Sequence, residues 1–135
     1  MYTYPCEIVR VVDGDTVDVN IDLGFGVWMR KQRIRLYGID TPESRTRDLV
    51  EKKYGMAAKK YLKGMLADEK IQLKTHKDGK GKFGRILGEL WRTTDYADKS
   101  INDYLIDKHH AVHYYGQSKE DIVEQHLKNR ELVDV

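Results

Sequence analysis

At 135 residues the chain has the length of a single domain, large enough to bury a core without a disulfide or a structural metal. Cys6 is the only cysteine, so no internal disulfide can form. A net charge of +2 and a pI of about 8.5 fall short of the basic excess that by itself marks a nucleic-acid binder. No apolar run reaches the length of a membrane span, which gives the expectation of no membrane partner. The first residues lack the charged start and hydrophobic stretch of a signal peptide. As written the chain suits the cytoplasm, or secretion if a leader was removed.

Residues 7–12 and 16–22 read as two strands, because Val17, Val19 and Ile21 alternate with Asp18, Asn20 and Asp22. A glycine turn at residues 22–26 leads to a third strand over 27–37, with Asp40 closing it and Pro42 ending it. Phe25 and Trp28 in this hairpin are expected to pack on the barrel. A polar loop over 44–48 precedes an amphipathic helix over 50–66, whose second face is mostly lysine. Strands over 70–76 and 85–91 flank a glycine- and lysine-rich turn over 77–82. Ser100 followed by Asp103, and Ser118 followed by Asp121, start two helices reaching about residues 108 and 132. Three strands, a helix, two strands and two helices give an α+β domain over 1–135, a five-stranded OB-type Greek-key barrel with three helices.

The chemistry gathers in two acidic motifs, Asp13-Gly14-Asp15-Thr16 and Arg35-Leu36-Tyr37-Gly38-Ile39-Asp40-Thr41-Pro42-Glu43. Pairing of the second and third strands brings Asp15 and Asp40 to one end of the sheet, where they are the best direct ligands for a hard cation, Ca²⁺ or Mg²⁺. Arg35, with Arg85 from Lys82-Phe83-Gly84-Arg85, offers a grip for phosphate. Asp13, Asp15, Asp40 and Glu43 exceed the two arginines in charge, which a divalent cation would balance. An EF-hand starting at Asp13 fails, since Val17, Asp18 and Gly24 stand where an oxygen ligand, a glycine and a glutamate belong. Taken alone, Asp13-Gly14-Asp15 reads as a solvated turn.

These stretches, with Glu51-Lys52-Lys53-Tyr54-Gly55 and Glu124-Gln125-His126-Leu127, resemble the staphylococcal nuclease (thermonuclease) family from about Ile8 to Leu127. The resemblance implies a Ca²⁺-dependent nuclease acting on DNA and RNA with little sequence specificity, preferring single strands, leaving 3′-phosphates and working as a monomer. By the same resemblance Asp15, Asp40 and the Thr41 carbonyl would hold calcium, while Asp13 and Glu43 would orient its waters. Glu43 would serve as general base, and Arg35 and Arg85 would hold the phosphate oxygens. Lys82, Phe83, Tyr115 and Tyr114 would bind substrate, Tyr115 matching the pocket better than Tyr114. Phe83 stands where the family has a tyrosine, at the expected cost of one hydrogen bond to phosphate.

His109, His110 and His113 lack a fourth ligand and a zinc spacing, so they are expected at a helix end or bordering the nucleic-acid groove. The glycines of the 77–84 segment do not make a phosphate loop. The alternative function is a barrel module that binds nucleic acid or a protein without cleaving; the presence of Asp15, Arg35, Asp40, Glu43 and Arg85 favours the enzyme.

Overall fold

The computed structural model describes residues 2–67, 70–76, 85–93, 98–133 and 135. The expected turn over 77–82, with Lys82 and Phe83, lies outside the described residues. Strands β1 (Thr3–Asp13), β2 (Thr16–Gly24) and β3 (Val27–Leu36) form an antiparallel meander. After helix α1 (Leu49–Leu66), strands β5 (Ile71–His76) and β6 (Ile86–Arg92) complete a closed barrel in the order β1-β2-β3-β6-β5. The closing pairs are β5 on β1, antiparallel, and β6 on β3, parallel. Between β3 and α1, β4 (Ile39–Asp40) pairs with β7 (Val112–His113), which follows helix α2 (Ile101–Asp107). Helix α3 (Lys119–Arg130) ends the fold. The expected α+β barrel with three helices is the observed architecture. Among the described residues no helix is long and apolar enough to cross a membrane.

The alternation of β2 decides its faces: Val17, Val19 and Ile21 enter the core, and the intervening polar residues face outward. Ile34, Leu36, Leu73 and Leu90 meet them from the other strands, while Leu62 of α1 with Ile101 and Leu105 of α2 cap the barrel. Truncating any of these leucines to alanine would cost about 2–5 kcal/mol. On the outside, Arg33 donates to both oxygens of Asp18 at 2.9 and 3.2 Å, fixing the β2–β3 register and lowering the Asp18 pKa. The helices start where their caps predict. Asp48 accepts from the amides of Val50 and Glu51, Ser100 from Asp103 and Ser118 from Asp121.

Two expectations need correction. The third strand does not run on to Asp40. It stops at Leu36, and Gly38 adopts φ +79°, turning the chain so that Asp40 enters a separate strand opposite Val112. Nor does Phe25 pack on the barrel. The register Gly24↔Val27 leaves Phe25 at the tip of a two-residue turn with φ +56°, fully exposed. Trp28 is half-buried, with Arg30 over its ring at 4.9 Å.

Candidate active site

Asp15 lies in the two-residue turn between β1 and β2, and the fold buries it rather than leaving it solvated. Its oxygens accept from Thr16 Oγ1 at 3.0 Å and from the Thr41 amide at 3.2 Å. The Asp15 carbonyl accepts the Leu36 amide at 2.8 Å, locking the turn onto the end of β3. There Arg35, opposite Thr16 in register, sends its guanidinium between two carboxylates, 3.3 Å from Asp15 Oδ2 and 3.4 Å from Asp40 Oδ1. The second oxygen of Asp40 meets His126 Nε2 of α3 at 2.8 Å. Asp40 is thus held by a strand on one side and a helix on the other.

Asp13 is bound by the Ser44 hydroxyl and lies 3.7 Å from Arg45. Glu43 follows Pro42 on the loop before α1, and its amide donates to Glu51 Oε2 at 3.0 Å. Burial first, then the charges of Asp13, Asp15, Asp40 and Glu51, raises the Glu43 pKa above the ordinary 4.5 although its side chain reaches solvent. Gly55 of α1 lies directly under this loop. A β-carbon there would stand 2.7 Å from the Ser44 nitrogen and overlap the Glu43 carbonyl. Helix α1 therefore sets the height of Glu43 over the site.

Asp13, Asp15, Arg35, Asp40, Thr41 and Glu43 line one cavity of about 760 Å³, with Arg85 at the mouth of β6, Tyr114 and α3 completing its wall. The parallel register Ile34↔Ile86 brings Arg85 to the same barrel end as Arg35. Tyr114, whose amide donates to the Gly38 carbonyl at 2.8 Å, is among the lining residues; Tyr115 is not, and is largely exposed. The preference for Tyr115 is thereby reversed in position. His110 packs against Tyr61 with ring centroids 4.9 Å apart, and burial lowers its pKa, while His109 closes α2 at φ +62°. Sequence reasoning assigned no task to His126, Ser44 or Gly55. Two of these sit within the motifs that carry the resemblance, which was the available signal.

The donor set is oxygen only, as a hard cation requires, and Thr41 Oγ1 beside it is buried without a hydrogen-bond partner among the described residues. Among the described residues no three His, Cys, Asp or Glu side chains converge as a metal cage. The expected ligands include only two carboxylates plus a backbone carbonyl, so such a cage is not demanded. In this arrangement Arg35 supplies the positive charge between Asp15 and Asp40. The residues fit a divalent cation in chemistry, with a shell that water and phosphate would have to complete.

The family model described as staphylococcal nuclease homologue matches residues 33–132. The chain belongs to the staphylococcal nuclease family. The first acidic motif, with Asp15, precedes the matched range, so its membership of the site rests on the Asp15–Arg35 geometry. The chain is 33% identical over 84 residues to a thermonuclease of Staphylococcus intermedius, covering 62% of this chain and 46% of that protein. It is 29% identical over 118 residues to a micrococcal nuclease of Shigella flexneri, covering 82% and 60%. An SPbeta prophage-derived endonuclease of Bacillus subtilis is 31% identical over 138 aligned positions, covering 91% and 41%. The chain spans about half the length of the first of these relatives.

Proposed function

We propose that the chain is a calcium-dependent nuclease that hydrolyses phosphodiester bonds of DNA and RNA with little sequence specificity, leaving 3′-phosphates. The observation carrying this reading is Arg35 held between Asp15 and Asp40, on a cavity wall shared with Glu43 and Arg85. A wall of carboxylates alone would repel a phosphodiester; two arginines at its centre and edge turn it into a phosphate seat.

Arg35 and Arg85 would bind the non-bridging oxygens and stabilise the charge that grows on them as phosphorus is attacked. Glu43, its pKa raised by burial and the neighbouring carboxylates, would orient a water in line with the leaving 5′-oxygen and take its proton. Asp15, Asp40 and the Thr41 carbonyl would hold Ca²⁺, with Asp13 and Glu43 orienting the waters around it and His126 fixing Asp40. When bound, the ion supplies Lewis-acid polarisation of the phosphate. Tyr114 would stack against the nucleotide at the rim. We assign a preference for single strands and a monomeric state to the same reading. Cleavage of single-stranded DNA and RNA, assayed with Ca²⁺, with Mg²⁺ and with chelator, tests it by rate and by product ends. Binding without cleavage in all conditions would leave a non-catalytic barrel module in its place.

A further inference from the structure

A second groove, of about 540 Å³, lies between β1 and the C-terminal half of α1. Arg10, Arg45, Lys59 and Lys63 line it, and among its described lining residues there is no carboxylate. The candidate active-site cavity, by contrast, carries five carboxylates in its wall. The rest of the groove is mainly aliphatic, with Val9 exposed at 45%. Lys59 and Lys63 are four residues apart on α1, so they rise from one face about 6 Å apart along the axis. Arg45 joins the two cavities: it lines this groove, follows Glu43 by two positions, and pairs at 3.7 Å with Asp13 of the active-site wall.

We propose that this groove is a track for the phosphate backbone of the nucleic-acid strand to one side of the scissile phosphate. The proposal rests on the nuclease reading for its partner. Its chemistry is that of a single polyanionic strand: cations spaced along the shallow seam between β1 and α1, aliphatic surface between them for sugars, and continuity with the site through Arg45. What favours a chain over an anionic bilayer is continuity: the cations follow the shallow seam between β1 and α1 and run through Arg45 to the wall of the candidate active site.

The test compares a parent carrying only Glu43→Gln, which keeps the ion and blocks cleavage, with the same protein further altered at Arg10→Gln, Lys59→Gln and Lys63→Gln. Binding of a fluorescent single-stranded 20-mer is followed from about 50 to 200 mM salt with Ca²⁺ present, chosen because counterion release makes affinity fall steeply there. Loss of three phosphate contacts should flatten log K against log salt by about 2, since each contact on a single strand is worth roughly 0.7. With Glu43 intact, the triple substitution should leave dinucleotide hydrolysis unchanged and slow cleavage of the 20-mer. An unchanged salt slope with active cleavage would overturn the track alone. Failure of the parent to bind, together with failure of the wild type to cleave, would sink track and nuclease reading together. Loss of binding to phosphatidylserine vesicles without a change in oligonucleotide slope would assign the groove to membranes and overturn the proposal.

Discussion

Substituting Gly55 by alanine tests whether α1 sets the position of Glu43. The added β-carbon would stand 2.7 Å from the Ser44 nitrogen, whereas carbon atoms rest at about 3.5 Å or more from their neighbours. It would also overlap the Glu43 carbonyl, which lies closer still, so the Glu43–Ser44 peptide must withdraw by more than about 1 Å. Alanine gains about 1 kcal/mol over glycine within a helix, and overpacking costs about 1–3 kcal/mol. Because the overlap is with backbone, the cost falls at the top of that range or above it, and the net loss of stability is about 2 kcal/mol or more, a fall of roughly 5–10 °C in Tm. A displacement of about 1 Å at a catalytic group can cost roughly 10²-fold in rate. Gly55→Ala should accordingly fold, melt several degrees below wild type and, under conditions where it is fully folded, lose about two orders of magnitude in kcat on a single-stranded oligonucleotide. Gly64→Ala supplies the control in the same helix, since nothing lies within 4 Å of its added carbon. It should raise stability by up to about 1 kcal/mol and leave kcat alone. Wild-type kcat in Gly55→Ala would refute the argument that this helix holds the base.

Glu43 has a raised pKa, so the folded state holds its proton more tightly than the unfolded chain, and its contribution to stability is full below about 4.5 and is lost as pH rises through the folded pKa. Urea unfolding in chelator should then show Glu43→Gln gaining on wild type as pH climbs from 4 to 7, while cleavage is lost; parallel stability profiles would contradict the shift. Arg35→Ala should reduce cleavage by roughly 10³-fold or more and also lower Tm, because Asp15 and Asp40 lose the cation between them. Ca²⁺ should raise Tm more in that variant than in wild type, and equal shifts would exclude the ion from that pair of carboxylates. His126→Ala, which frees one oxygen of Asp40, should weaken Ca²⁺ about 10–100-fold in a calcium titration read by Tm, with little change if the histidine merely packs.

The barrel was legible because its strands obey period two and its helices begin at capping residues whose hydrogen bonds are local. Asp15 and Arg35 were legible together because hairpin register follows from a short turn. Asp40 was placed near them for an incomplete reason. Its position depends on a left-handed Gly38 and on pairing with residues some seventy positions away, and neither leaves a mark in local alternation. The choice between Tyr114 and Tyr115 turns on the same distant pair, since β7 decides which of two successive residues faces the cavity. His126 escaped because α3 has no buried residue by which its orientation could be read. Phe25 was misjudged because hydrophobicity says nothing of a turn that carries a side chain past the end of the sheet.

The parallel pairing of β3 with β6 has a consequence for the order in which the candidate site is assembled during synthesis. The β1–β3 meander can form from what has already left the ribosome, bringing Asp15 and Arg35 together early. Its free edge must then wait while α1 and β5 are made, and Asp40 waits longer still for a histidine 86 residues downstream. A nascent or truncated chain thus holds acids and one arginine without the rest of the phosphate seat. On the proposed reading, hydrolytic competence would arrive only once β6 and α3 have joined the meander, so cleavage would report assembly of the whole seat rather than of its first strands.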